Sequence, residues 1–105
     1  MEKEIITLNG EPYRLGDPIV SKGIDMKCYP VLCTGGYIDK DGERYFLMTE
    51  DGLGMWLEEE WLTDYFVDTP ANRARILKEC KDYMDEYNRR VEEQLKRIRE
   101  KMANK

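Results

Sequence analysis

The pattern of apolar and polar residues divides the chain into a front part of short strands and a long C-terminal helix. Short apolar runs between residues 4 and 67 are separated by Gly, Pro, Asn and Asp, which predicts strands joined by tight turns. From Thr69 onward the period becomes that of an amphipathic helix, and no Gly or Pro interrupts it as far as Lys105. The pattern therefore predicts two regions, residues 1–68 and residues 69–105.

Turn motifs predict how the strands are joined. Asn9-Gly10 favours a type I′ hairpin turn, because both residues accept a positive φ. Pro12 has no N–H to donate and predicts that the returning strand lies at a sheet edge. Gly35-Gly36 predicts a bulge or a sharp bend. The Asp-Gly pairs at 41–42 and 51–52 predict two further tight turns.

The segments between these turns are assigned from their composition. Residues 19–20 are predicted as a short strand that ends at 21–23, and residues 24–34 as a strand that is buried on both faces over part of its length. Residues 58–61 are predicted as a single helical or 3₁₀ turn before a last strand at 65–67. Trp56 is expected in the core, whereas Trp61, in a polar corner, is expected at the surface.

The order of these elements resembles that of small SH3-like barrels. The resemblance covers residues 13–67 and rests on a Gly-Asp-Pro-Ile-Val start, a central Asp-Gly hairpin, a second Asp-Gly turn, a Trp-Leu strand and a Glu-x-x-Leu corner. It implies an α+β protein: an antiparallel barrel of five or six short strands followed by one helix. SH3-like domains commonly bind peptides, modified side chains or nucleic acid through aromatic residues. The corresponding aromatic residues here are Tyr29, Tyr37, Tyr45, Trp56, Trp61 and Tyr65.

The helix is predicted to begin with Thr69 as its N-cap and Pro70 at its first position. A helix of this length extends about 50 Å, which exceeds the width of a small barrel. We therefore expect residues 76–83 to pack on the barrel and residues 87–102 to pair with a second copy, giving a homodimer. The residues expected at this dimer interface are Leu77, Met84, Tyr87, Val91, Leu95, Ile98 and Met102.

Composition argues against catalysis. The chain has no histidine and a single serine, and it lacks a P-loop, a Rossmann glycine pattern and a spaced set of metal ligands. The Asp-Lys-Asp-Gly-Glu motif at 39–43 is similar to part of a calcium loop. Gly42 occupies its fourth position, however, whereas an EF-hand needs glycine at the sixth, so a hairpin turn is favoured. We therefore expect no enzymatic activity, no cofactor and no metal.

The cysteines and the ends of the chain bear on its location. With three cysteines, at least one is unpaired in any disulfide scheme, which favours reduced thiols. The charged N-terminus leads directly into a strand and shows no signal peptide. No apolar run approaches the length of a membrane span. These features predict a cytoplasmic protein that does not contact a membrane.

Charge is distributed unevenly around a net value of −5. Residues 1–72 contain six Lys and Arg against fifteen Asp and Glu, a net charge of −9, and residues 73–105 have a net charge of +4. An acidic surface attracts a basic partner, for which we consider a nucleic-acid-handling enzyme. The alternative is a solvated corner that keeps a sheet edge soluble. The residues expected to bind the partner are Glu50, Asp51, Glu58, Glu59, Glu60, Trp61 and Asp64.

Together these features predict a non-enzymatic intracellular module that binds a host protein. Small acidic proteins of this kind resemble phage-encoded accessory proteins, including inhibitors of bacterial defence such as anti-CRISPR proteins. One alternative is a small-ligand or nucleotide-binding protein with a pocket at the barrel loops or dimer interface, formed by Tyr87, Arg89 and Arg90. Another is a structural virion or scaffold component. Direct nucleic-acid binding is disfavoured, because glutamates interleave the basic segment of the helix.

Overall fold

The computed structural model describes residues 3–104 and has an α+β fold of two antiparallel sheets and one long helix. A 3₁₀ segment, Glu59–Asp64, separates the last two strands. The strands are β1 (Ile5–Leu8), β2 (Glu11–Arg14), β3 (Pro18–Ile24), β4 (Pro30–Asp41), β5 (Arg44–Met48), β6 (Gly54–Leu57) and β7 (Tyr65–Val67), and the helix α1 spans Pro70–Ala103.

Local turn chemistry forms the hairpins as predicted. Asn9 and Gly10 have φ angles of 51° and 81°, so the type I′ turn between β1 and β2 is confirmed. Gly42, with φ of 64°, is the first residue of a two-residue turn between β4 and β5. Pro12 lies opposite Thr7 in the two-stranded sheet of β1 and β2, where neither strand has a further neighbour. The edge position predicted for Pro12 is confirmed.

The larger sheet has five strands in the order β6-β5-β4-β3-β7, all antiparallel. Its outer strands β6 and β7 are not paired with each other, so the predicted closed barrel is wrong, although the α+β class is confirmed. The long strand β4 pairs with β3 along its first part and with β5 along its second. Between these parts the register of β3 and β4 shifts at Gly35, whose φ is 85°, which confirms the predicted bulge.

Three sequence assignments in this sheet were wrong. The strand predicted at 19–20 continues to Ile24, because β4 supplies backbone partners along that whole length. The segment 24–34 is not buried on both faces, since Cys33 is exposed. Trp56 is not in the core, because 46% of its surface is exposed. All three depend on contacts with other parts of the fold, either strand pairing or the covering of a face, which the local sequence does not specify.

The sheet separates two apolar clusters, and adjacent residues of β3 contribute to different ones. Ile19 faces the inner cluster, which lies between the sheet, the β1–β2 hairpin and the 3₁₀ segment. Val20 faces the outer cluster, where it packs with Ile76 and Cys80 of α1. The inner cluster contains Leu8, Tyr13, Leu15, Ile19, Ile38, Leu47 and Leu57. The α1 helix thus covers one side of the sheet and the hairpin covers the other.

The helix begins as predicted. Thr69 accepts a hydrogen bond from Asn72 N–H at 3.1 Å, and Pro70 is the first helical residue. The 34 residues of α1 correspond to about 51 Å. The molecule is accordingly elongated, 74 Å by 25 Å by 23 Å, because the second half of α1 projects beyond the sheet. Of the described residues, no helix is long and apolar enough to cross a membrane.

Candidate partner-binding surface

Strand β6 forms one edge of the five-stranded sheet and pairs only with β5. Its last residue, Leu57, is buried in the inner cluster, whereas Gly54, Met55 and Trp56 are exposed. An edge strand leaves one row of backbone N–H and C=O groups without a ladder partner. The residues of β6 therefore combine unpaired backbone with exposed apolar side chains.

The hydrogen-bond pattern identifies which backbone groups of β6 point outward. Thr49 N–H donates to the Leu53 carbonyl at 2.9 Å, where the hairpin between β5 and β6 closes. Hydrogen-bonded pairs alternate with non-hydrogen-bonded pairs along an antiparallel ladder. The next bonded pair is therefore Leu47 with Met55, within the observed register. It follows that the N–H and C=O groups of Gly54 and Trp56 point away from β5.

Trp56 lies on the outer face of the sheet because β6 alternates strictly. Its neighbour Leu57 faces the inner cluster, so Trp56 faces the opposite side, beyond the area that α1 covers. There its ring meets Phe46 edge to face, with 6.2 Å between ring centroids, and the Arg44 guanidinium lies 4.1 Å from its centroid. A shallow depression of about 600 Å³ adjoins it, lined by Lys40, Asp41, Phe46, Gly54, Met55 and Trp56.

The opposite edge of the sheet, β7, is protected by two asparagine side chains. Asn9 Nδ2 donates to the Tyr65 carbonyl at 2.6 Å, and Asn72 Nδ2 donates to the Val67 carbonyl at 2.8 Å. The side-chain hydrogen bonds of residues 3–104 include none to the backbone of β6. Of the two outermost strands of the larger sheet, β7 and β6, only β6 therefore receives no side-chain hydrogen bond on its outward backbone groups within residues 3–104.

The acidic residues predicted to bind a partner lie at the two ends of β6. Glu50 and Asp51 occupy the turn that precedes β6, whereas Glu58, Glu59 and Glu60 follow its last residue. The strand between the two groups has four residues and is about 13 Å long. The predicted acidic surface is therefore divided, with the apolar residues of β6 between its two parts.

The two residues of the first acidic group are held in place differently. Glu50 lies across the β4 bulge, since a Cβ added at Gly35 would come within 2.6 Å of its Oε2. Asp51 accepts a hydrogen bond from the Thr49 hydroxyl, which lowers the pKa of its carboxyl group. Both residues thus lie near the start of β6, and the lowered pKa keeps the Asp51 carboxyl group negatively charged at neutral pH.

Trp61 and Asp64 lie in the 3₁₀ segment that follows β6. Trp61 is 46% exposed, which confirms its predicted surface position, and its N–H donates to the Glu58 carbonyl at 2.9 Å. Asp64 lines a different depression together with Lys22, Phe66 and Glu79, next to α1. The structure therefore groups Glu58–Glu60 and Trp61 at one end of β6 but separates Asp64 from them.

The residues of the alternative ligand site lie along the middle of α1. Tyr87 contacts Tyr29 edge to face, with centroids 5.8 Å apart. Arg89 and Arg90 both bind Glu86, at 2.6 Å and 3.2 Å. The hydrogen bond from Arg89 lowers the pKa of Glu86, so this carboxylate is charged at neutral pH. Each arginine already has an acidic partner on its own helix.

The segment with a calcium-like motif is a hairpin turn, as predicted. Burial acts to raise the pKa of Asp39, but a 2.8 Å hydrogen bond from Lys3 contributes to lowering it overall. Lys40 pairs with Glu4 at 2.8 Å. Within residues 3–104, no group of three or more Cys, Asp or Glu side chains is arranged to hold a metal ion.

Sequence reasoning missed the open edge of β6. Trp56 was assigned to the core because small barrels need large side chains, and Pro12 directed attention to the hairpin as the edge. The run 53–57 contains no Lys, Pro or other residue that commonly protects an edge, and this was the signal in the sequence that could have identified the open edge.

Comparison of the chain with family models, with curated proteins and with solved structures gave no match.

Proposed function

We propose that this chain is a non-enzymatic interaction protein that binds an extended segment of a protein partner along the edge of β6. The observation that carries the proposal is the contrast between the two sheet edges. The acceptors of β7 are occupied by Asn9 and Asn72, whereas the backbone groups of Gly54 and Trp56 point outward without a side-chain partner. Main-chain pairing at such an edge provides affinity, and side-chain contacts provide specificity.

The charges around β6 favour a basic partner over a second copy of the chain. In an antiparallel pair of two β6 strands, Glu50 and Asp51 of one copy would lie beside Glu58–Glu60 of the other. A parallel pair would place identical acidic groups side by side. Like charges at close range destabilise either arrangement. A segment with apolar residues in its centre and Lys or Arg at its ends complements both parts of the surface.

The partner chemistry agrees with the functional class favoured by the sequence. A basic segment of this kind occurs on proteins that handle nucleic acid, and occupying it would compete with the phosphates it normally contacts. An accessory or inhibitory role toward such a protein is therefore the proposed role. A reducing compartment, the cytoplasm, is the proposed location, because Cys28 and Cys33 are exposed and free.

A designed peptide tests the mode of binding. The probe has about eight residues, the length of a long strand, with Val at its four central positions and two Lys residues at each end. Binding is measured by titration calorimetry and by amide hydrogen exchange. We expect slower exchange at Gly54 and Trp56, because their N–H groups become hydrogen bonded to the peptide. The same peptide with Glu in place of every Lys is the control and should not bind. Equal binding of both peptides, or unchanged exchange at these two amides, would contradict the proposal.

Matched variants separate the edge from the rest of the surface. Trp56→Ala and Trp61→Ala remove the same side chain at equal exposure, 46% in each case, but only Trp56 lies on β6. We expect Trp56→Ala to weaken binding about tenfold or more and Trp61→Ala to have a small effect. Replacing Glu58, Glu59 and Glu60 with Lys should abolish binding. The same charge change at Glu92, Glu93 and Glu100 of α1 is the control.

A further inference from the structure

The apolar residues of α1 form one stripe that continues past the sheet without changing face. Their spacing is four, four and three residues, repeated, which amounts to an 11-residue period that stays nearly straight along a helix. The first four, Ile76, Cys80, Met84 and Tyr87, begin the stripe on the sheet. The next four, Val91, Leu95, Ile98 and Met102, continue it over the projecting half of the helix.

Exposure along this stripe rises toward the end of the helix. Ile76 is 1% exposed, Leu95 is 45% exposed and Met102 is 69% exposed. Leu77 is 52% exposed although it adjoins Ile76, because it lies beside the stripe. The projecting apolar face, Val91–Met102, is therefore the continuation of the face that the sheet covers, and no described residue covers it.

We propose that a second copy of the chain covers this face, with the two helices antiparallel. A parallel pair is excluded by the position of the sheet. Packed helices lie 8–10 Å apart, yet a parallel pair joined by this face would have both sheets between the helices at the level of Ile76 and Cys80. In an antiparallel pair the two sheets lie at opposite ends, and only the projecting halves overlap.

The length of the projecting face fits this arrangement. Val91 and Met102 are separated by about 17 Å along the helix. With Val91 of one copy opposite Met102 of the other, the tip of each helix reaches the sheet of its partner at the turn between β3 and β4. Two exposed apolar side chains lie there, Ile24 at the end of β3 and Met26 in the turn, and no residue of 3–104 covers them.

Charge complementarity favours the same orientation. The front part of the chain has a net charge of −9 and the helical part +4. The antiparallel pair directs the basic tip of each helix, with Arg97, Arg99 and Lys101, toward the strand region of the other copy, whose net charge is negative. A parallel pair would place two basic tips side by side. Dimerisation through α1 does not depend on whether a partner is bound at β6. In the antiparallel dimer, the β6 edges of the two copies would lie at opposite ends of the assembly.

Disulfide trapping distinguishes the orientations. Cys28→Ser and Cys33→Ser remove the exposed thiols and leave only buried Cys80. In this background, Val91→Cys and Met102→Cys are prepared separately and mixed under oxidising conditions. We expect cross-linked dimers chiefly in the mixture, because residue 91 faces residue 102 of the other copy. Efficient cross-linking of Met102→Cys alone would overturn the antiparallel orientation.

Sedimentation of the unmodified chain tests the dimer independently of these variants. We expect concentration-dependent association, and a strict monomer at high concentration would overturn the proposal. Leu95→Lys should weaken association about tenfold or more with unchanged helical circular dichroism. Leu77→Lys is the matched control, since Leu77 is at least as exposed as Leu95, 52% against 45%, but lies off the stripe. Equal loss of association in the two variants would also contradict this interface.

Discussion

Tyr13 of the N-terminal hairpin accepts a hydrogen bond from Ile38 N–H of the five-stranded sheet, with 3.0 Å between oxygen and nitrogen. The same hydroxyl donates to the Asp17 carbonyl. Tyr13 is fully buried, and its contact with Ile38 is buried as well. The pairing of β4 with β3 ends at Tyr37, and this side chain satisfies the backbone N–H of Ile38, the next residue, in the core. The hairpin is thus joined to the sheet by polar as well as apolar contacts.

Replacing Tyr13 with Phe should destabilise the fold while preserving its packing. The change leaves Ile38 N–H without a buried acceptor, and an unsatisfied buried group costs about 1–3 kcal/mol. Urea unfolding followed by circular dichroism measures the difference in the free energy of unfolding. Tyr83→Phe is the control, since Tyr83 is exposed and should change stability little. A loss equal to that of the control would show that the Tyr13 hydroxyl is not needed.

The same hydroxyl predicts a loss of stability at alkaline pH. Burial raises the pKa of Tyr13 to about 12 from a usual value of 10.0. Because the folded state favours the neutral phenol, its contribution is complete below pH 10 and declines as the pH rises from about 10 to about 12, by about 1.4 kcal/mol per unit. The difference in unfolding free energy between the wild type and Tyr13→Phe should narrow over this range. If this difference in unfolding free energy stayed constant from pH 8 to pH 12, the predicted effect of Tyr13 ionisation would be contradicted.

Neighbouring residues of α1 test how the helix is attached to the sheet. Ile76 is 1% exposed and packs against Val20, whereas Leu77 is 52% exposed. Ile76→Ala should cost about 2–5 kcal/mol because it leaves a cavity between helix and sheet. Leu77→Ala removes a side chain of the same size and should cost much less. Thermal and urea unfolding measure the loss in the free energy of unfolding for both variants. Similar losses would contradict the packing of Ile76, rather than Leu77, against the sheet.

The sequence determined the features that depend on neighbouring residues. The Asn9-Gly10 turn needs only residues that accept positive φ, and Thr69 with Pro70 starts the helix through contacts within one turn. The α+β class follows from the change of apolar period near residue 69. The acidic residues of the candidate surface were also predictable, because charge is a property of composition. These features need no knowledge of what lies across the fold.

Tertiary structure decided which surfaces are covered. A strand alternates between two faces, but its sequence does not say where the covering helix ends, so Trp56 was assigned to the core although it is exposed. The free edge at β6 likewise depends on strand order, which arises from long-range pairing between β3 and β7. The apolar stripe on α1 was predictable from the sequence. The orientation proposed for a second copy, however, depends on the sheet occupying the same face of the helix. Burial and strand order are set by contacts between residues distant in the chain, which local patterns do not specify.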